Sequence, residues 1–128
     1  MRIIAGKWRG KKLVVPDGLD VRPTSDRARG ALYNVLFHGK PAARGFQLRG
    51  ARVLDGFAGT GALGLEALSR GAAHVTFMEN ASASLGAIKA NVSACNADTS
   101  VHLLKTDVLT APKAATPCDL IHLDPPYG

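Results

Sequence analysis

The 128 residues, 46% hydrophobic and 20% charged, suffice for one domain around a single buried core. No stretch approaches the ~20 continuous apolar residues of a membrane-spanning helix, and Met1-Arg2-Ile3-Ile4-Ala5-Gly6-Lys7 lacks the apolar centre of a secretion signal, so a cytoplasmic protein is expected. The net charge of +6 is placed unevenly: residues 1–49 hold 11 Lys and Arg against 3 Asp and Glu, a net of +8, and residues 50–128 hold 5 against 7, a net of −2.

A basic front beside a mildly acidic back predicts a polyanionic partner, nucleic acid first, gripped by residues 1–49. Cys95 and Cys118 are far apart and form no C-x-x-C pair, and the four histidines show no metal-binding spacing. No metal and no disulfide framework are expected, and both cysteines read as reduced side chains in or beside the core.

In chain order, Arg2-Ile3-Ile4-Ala5-Gly6 and Lys11-Lys12-Leu13-Val14-Val15 read as short strands. The intervening Lys7-Trp8-Arg9-Gly10 reads as the basic tip of a hairpin. Trp8 is a residue that either stacks on a base or packs beneath the hairpin. A helix is expected from Thr24-Ser25-Asp26, with a hydroxyl cap and an acid at its positive end, to His38. Ala28, Ala31, Leu32, Val35 and Leu36 follow the spacing of one buried face. Residues 39–50, rich in Gly, Arg and Pro, read as a loop.

From there strand and helix alternate. Strands are predicted at Arg52–Asp55, His74–Glu79, Val101–Lys105 and Asp119–Leu123, and helices at Gly61–Arg70 and from Ala81 to about Asn91. Such alternation predicts right-handed crossovers on a parallel sheet. The last crossover, Asp107–Pro117, holds two prolines and reads as a loop or short helix. His122, inside the last strand, reads as a packed histidine with a hydrogen-bonded partner.

The first strand runs into Asp55-Gly56-Phe57-Ala58-Gly59-Thr60-Gly61-Ala62-Leu63-Gly64, with Gly59, Gly61 and Gly64 spelling G-x-G-x-x-G. Glycines let a ligand approach the backbone, and Glu79 at the end of the next strand suits ribose hydroxyls. By itself this pattern fits a nicotinamide dinucleotide as well as S-adenosylmethionine. Three details favour the methyl donor. Asp55 stands on the strand itself, where a carboxylate meets a cationic ammonium better than a pyrophosphate. Phe57 and Ala58 give an apolar wall, not a tight phosphate turn. Asp107, after the third strand, can accept a hydrogen bond from adenine's amino group or else cap the segment after it. Asn80 and Val108 complete the cofactor set.

The chain closes on Asp124-Pro125-Pro126-Tyr127-Gly128 after an apolar strand. The prolines have no N–H and stiffen the turn, leaving the Asp124 carboxylate and the Pro125 carbonyl to accept hydrogen bonds from an exocyclic amine. Tyr127 offers a face for stacking. Asp124, Pro125, Pro126 and Tyr127 are therefore the expected catalytic group. Arg9, Lys11, Arg22, Arg27 and Arg29 are the expected phosphate contacts.

Asp55-x-Phe57-Ala58-Gly59-x-Gly61, Leu65-Glu66-Ala67-Leu68-Ser69-Arg70-Gly71-Ala72 and Asp124-Pro125-Pro126-Tyr127 resemble the RsmD-type 16S ribosomal RNA guanine-N2 methyltransferases. Arg2-Ile3-Ile4-Ala5-Gly6, Arg9-Gly10 and Arg22-Pro23-Thr24-x-Asp26-Arg27-x-Arg29 are similar to the opening of the same family. Gly30 stands where that family has a glutamate, and Gly56 where it has a leucine or similar residue. The resemblance implies a Rossmann-like methyltransferase fold of α/β class. It implies S-adenosylmethionine as cofactor, and ribosomal RNA or the small ribosomal subunit as partner. It also implies two segments: residues 1–49 as a basic RNA-contacting extension and residues 50–128 as the methyltransferase core. Such proteins continue past D-P-P-Y with further helices and strands, so the sheet is expected to be incomplete on its C-terminal side. The alternatives are DNA adenine-N6 or cytosine-N4 methylation, a non-catalytic RNA-binding fragment and an NAD-dependent oxidoreductase.

Overall fold

The computed structural model describes residues 1–15, 26–110 and 116–123. Four strands form one all-parallel sheet: β1 (Arg52–Gly56), β2 (His74–Glu79), β3 (Val101–Lys105) and β4 (Leu120–Leu123), in the order β3-β2-β1-β4. The alternating burial along β1 and β2 follows from Val53, Val75 and Phe77, which point into the core. The chain steps outward from β1 to β3 and then returns to the opposite side of β1 for β4. That reversal opens a crevice at the C-terminal strand ends, where doubly wound sheets bind ligands. The helices between strands, α3 (Ala62–Ser69) and α4 (Ser82–Ala94), match the sequence reading to within a few residues.

Every residue of α3 is buried. Gly64 makes its close seating possible, since a Cβ there would stand 2.7 Å from Cγ1 of Val75 and closer still to the Phe77 ring. The last crossover contains a 3-10 turn at Val108–Thr110, with residues 111–115 outside the described region.

Ahead of the sheet, residues 1–13 double back as a hairpin-like turn, but the two strands expected at 2–6 and 11–15 do not form. A single antiparallel bridge between Arg2 and Lys12 ties it, with Ile3 N–H to Lys11 O at 2.9 Å. The N–H groups of Ile4, Ala5, Trp8 and Val14 go instead to Glu66, Ser69 and Asn91 on the helices. Ile3 and Leu13 enter the same core cluster as Val53, Leu65, Phe77 and Ile88, so the hairpin and the sheet share one interior. Trp8 is half-buried against that cluster, with the Lys7 ammonium 4.6 Å from its ring centroid. Helix α1 (Asp26–His38) is followed by a short α2 (Lys40–Ala43) within the segment read as loop, where Pro41 sits in the first turn. The Thr24-Ser25 cap lies outside the described residues.

The buried face of α1 differs from the expected one. Ala28, Ala31 and Val35 are exposed, while Arg29 and Tyr33 are fully buried and Leu32 and Leu36 half-buried. The apolar stripe is turned by about one residue because Arg29 carries its charge inward. Its guanidinium meets Asp26 Oδ1 at 2.9 Å and the buried Glu66 at 3.5 Å, and donates to the Arg2 carbonyl. A periodicity count assigns arginine to the outside; a buried acid waiting for it reverses that assignment.

Candidate functional site

The glycine-rich turn connects β1 to α3 and lies against the end of β2. Phe57, Gly59 and Gly61 all have left-handed backbones, with φ of 56°, 58° and 81°. Glycine adopts this freely and phenylalanine does not, so Phe57 is held there by its surroundings. The turn is braced by Ala58 N–H to Met78 O at 3.1 Å and by Gly61 N–H to Ala58 O at 2.8 Å.

Glu79 is the main clamp. Its Oε1 accepts Gly59 N–H at 2.9 Å, and its Oε2 accepts the N–H groups of Asn80 and Ala81, each at 3.0 Å. A carboxylate has about four lone-pair positions, so three backbone donors leave room for a ligand hydroxyl. Asp55 sits at the C-terminal end of β1, 1% exposed, and its Oδ2 accepts Gly64 N–H from the first turn of α3 at 3.1 Å. Asp107 is exposed at the end of β3, where Oδ1 accepts Leu109 N–H at 2.9 Å and so caps the 3-10 turn.

One cleft gathers these elements. Phe57, Glu79, Asn80, Asp107 and Val108 line it together with Met78 and Thr106. Five of the nine residues expected from sequence thus share one opening, and Asp55, Ala58, Gly59 and Gly61 build the turn beside it. Two carboxylates, Glu79 and Asp107, thus stand as hydrogen-bond acceptors beside the apolar surface of Phe57, Met78 and Val108. No group of three or more His, Cys, Asp or Glu among the described residues could hold a metal ion. No helix among them is long and apolar enough to cross a membrane. Cys95 is buried, which pushes its thiol pKa up, and Cys118 is half-buried; both are free thiols.

Strand β4 lies on the other side of β1, with His122 registered against Asp55 and Leu123 against Gly56. His122 is the packed histidine expected, its Nε2 3.0 Å from the Tyr33 hydroxyl. That hydroxyl also donates to Leu63 O at 2.7 Å. With its one proton so engaged, it accepts from His122, which places the ring proton on Nε2. Burial, followed by the nearby Asp55 and Glu66 charges, raises the Tyr33 pKa far above its ordinary value and keeps the hydroxyl neutral.

Asp124, Pro125, Pro126 and Tyr127, as well as Arg22, lie outside the described residues. Arg9 and Lys11 on the hairpin and Arg27 on α1 are exposed, as a phosphate contact requires. Arg29 is not: fully buried and paired with Asp26 and Glu66, it is a structural cation and leaves the set of RNA contacts.

The sequence reading missed the residues that weld the hairpin to the core. Glu66 accepts the N–H groups of Ile4 and Ala5 at 2.9 and 3.2 Å and pairs with Arg70 Nε at 2.8 Å. Ser69 Oγ accepts Trp8 N–H at 3.0 Å and donates to Ala5 O at 2.6 Å. Asn91 on α4 holds Val14 and Thr60. Glu66 had a visible signal, a lone acid in the otherwise apolar Ala62-Leu63-Gly64-Leu65-Glu66-Ala67-Leu68. Asn91 had none.

Known proteins share this sequence pattern and fold. A family model described as "Conserved hypothetical protein 95" matches residues 1–128. The chain is 39% identical over 127 residues to Ribosomal RNA small subunit methyltransferase D of Escherichia coli K12, covering 99% of this chain and 60% of that protein. It is 37% identical over 131 residues to the Haemophilus influenzae protein of the same name, covering 99% and 64%. The chain thus spans less than two thirds of the length of these curated relatives. Among solved structures, an Escherichia coli methyltransferase superposes with a TM-score of 0.81 at 39% identity, covering 99% of this chain and 64% of that one. A Haemophilus influenzae methylase gives 0.73 at 34%, covering 100% and 65%. The fold is therefore Rossmann-like, and the chain belongs to the ribosomal RNA small subunit methyltransferase D family.

Proposed function

We propose that this chain carries the cofactor-binding core and RNA arm of an S-adenosylmethionine-dependent methyltransferase. Its acceptor is the exocyclic N2 amine of a guanine in small-subunit ribosomal RNA, and its setting is the cytoplasm. The observation that carries the reading is the cleft shared by Phe57, Glu79, Asn80, Asp107 and Val108 beside the glycine turn, in a chain of this family.

In this reading Glu79 would accept a ribose hydroxyl, Asp107 would accept from the adenine amino group, and the buried Asp55 beside the glycine turn would supply negative charge toward the methionine ammonium. The bound donor supplies a methyl group on a positively charged sulfur, so the leaving group needs no metal. The remaining difficulty is the acceptor nitrogen, whose lone pair is delocalised into the base. Asp124 and the Pro125 carbonyl would accept its N–H bonds and favour a more pyramidal nitrogen, while Pro126, which has no N–H to satisfy them, would leave these acceptors to the substrate and Tyr127 would hold the base by stacking. The acceptor nitrogen would take the methyl group that the bound donor supplies, and its amine proton would leave to Asp124 or to water. Positioning supplies much of the acceleration. Arg9, Lys11 and Arg27 grip phosphates around the target, with Arg22 beside them in sequence.

The test is a pair of experiments on the protein as naturally encoded. Thermal melts with S-adenosylhomocysteine and with NAD in parallel should show stabilisation by the first alone, about 2.7 kcal/mol at 100 times its dissociation constant. Methyl transfer to small-subunit RNA should disappear in Asp124→Ala while S-adenosylhomocysteine still binds. Turnover unchanged in that variant, or transfer to DNA in preference to RNA, would overturn the assignment.

A further inference from the structure

We infer that Asn91 is a positioning residue that locks the RNA arm to the cofactor turn, so that RNA and cofactor bind cooperatively. The inference rests on the proposed function and adds a residue outside the cleft lining.

Asn91 is 1% exposed on α4. Its Oδ1 accepts Val14 N–H at 2.7 Å, and its Nδ2 donates to Val14 O at 3.1 Å and to Thr60 O at 2.9 Å. One planar amide therefore holds both backbone groups of an arm residue and one carbonyl of the glycine turn. The Thr60–Gly61 peptide is fixed from its two sides, by Asn91 at the carbonyl and by Ala58 O at the Gly61 N–H. That peptide lies between the left-handed Gly59 and Gly61, so its orientation sets the shape of the turn.

On the arm side, the Val14 side chain is 53% exposed, which leaves its backbone as the point of attachment. A second contact joins the same elements: Thr60 Oγ1 lies 3.6 Å from Met1 Sδ at the other limb of the hairpin. A local shift of the arm at Val14 leaves the buried Asn91 amide short of two partners, and reshaping the turn leaves it short of the third. Each state of one element thus favours the matching state of the other, and any ligand that orders one favours binding at the other by the same factor.

The experiment measures the affinity of S-adenosylhomocysteine with and without saturating small-subunit ribosomal RNA, free and in assembled subunits. It uses the naturally encoded protein and two variants. In the wild type RNA should tighten cofactor binding by about tenfold, and cofactor should tighten RNA binding equally. Val14→Pro removes the N–H that Asn91 accepts and touches nothing in the cofactor turn. It should reduce the coupling to less than about twofold while cofactor affinity without RNA stays within about twofold of wild type. Asn91→Ala should lose the coupling and also weaken cofactor binding by itself; should Val14→Pro fail to fold, Asn91→Ser reads the same coupling. Binding of both ligands with no coupling in the wild type, or coupling preserved in the folded variants, overturns the inference and leaves the proposed function standing. A wild type that binds cofactor and no RNA in either form overturns the RNA-binding role of the arm and takes this inference with it.

Discussion

Glu66 shows how much one buried side chain can organise. Its carboxylate faces Arg29 and Arg70 and accepts two hairpin N–H groups, so three segments of chain, the hairpin, α1 and the end of α3, meet on two oxygens. A buried ion pair is weak evidence of stability as such, because desolvation offsets the attraction; removing one partner is costly, because the other charge stays buried. Glu66→Ala should therefore lower stability by about 3–5 kcal/mol in denaturant titration. A loss under about 1 kcal/mol would mean that Arg29 finds adequate partners in Asp26 and the Arg2 carbonyl. Asp26 makes a smaller, pH-dependent contribution. Partial burial raises its pKa, but the Arg2 N–H and the Arg29 guanidinium outweigh this and leave it below 3.8. A depressed folded pKa stabilises above the unfolded value and loses that stability as pH falls through the folded one. The stability gap between wild type and Asp26→Asn should thus be full near neutrality and close below about pH 4. Half-exposure keeps the gap small. A gap that widened on acidification would contradict a lowered Asp26 pKa.

At the scale of elements, the strands and crossover helices were legible because each is a short apolar run bounded by glycine or by capping residues. His74–Glu79 and Val101–Lys105 occur with the boundaries expected. The glycine turn was legible for a related reason: G-x-G-x-x-G places Gly59 and Gly61 where left-handed backbone is required and Gly64 where helix meets strand. What the sequence concealed are the contacts made by polar side chains inside. The face of α1 was misread because Arg29 is a core residue here, and Asn91 resembles any other asparagine on a helix. The glycines yield a prediction of their own. Gly64→Ala places a methyl group 2.7 Å from Val75 Cγ1 and against the Phe77 ring, both in the core, so α3 must lift off the sheet. The expected cost is about 1–3 kcal/mol, and under the proposed function cofactor binding should weaken too, because the Gly64 N–H is bonded to Asp55. By contrast, Gly86→Ala meets nothing within 4 Å on α4 and should leave the fold as stable or slightly more so.

For the molecule as a whole, the hairpin has two sides with separate tasks. Its inner side is structural: Ile3 and Leu13 fill the common core, and its N–H groups end on Glu66, Ser69 and Asn91. Gly6 permits that docking, with φ of +87° and a Cβ position only 2.7 Å from Ser69 Oγ, closer still to the Ser69 carbonyl. Its outer side presents Arg9 and Lys11, both exposed. These tasks should separate under mutation. Deleting residues 1–15 removes two core side chains and strands the buried Glu66 and Asn91, so cooperative melting should be lost. Arg9→Gln combined with Lys11→Gln leaves the inner side intact and should not shift the melting temperature by more than a degree or two. Under the proposed function, the same pair contacts phosphates. Neutralising it should then flatten the dependence of log affinity for RNA on log salt by about 1.4–1.8 units, since each phosphate contact contributes roughly 0.7–0.9. An unchanged salt slope with an unchanged melt would move the RNA-gripping surface off the hairpin. A lowered melt with the same slope would make the outer cations part of the fold. The expected result, slope without melt, is the signature of an arm held by its backbone and free to use its side chains on a polyanion.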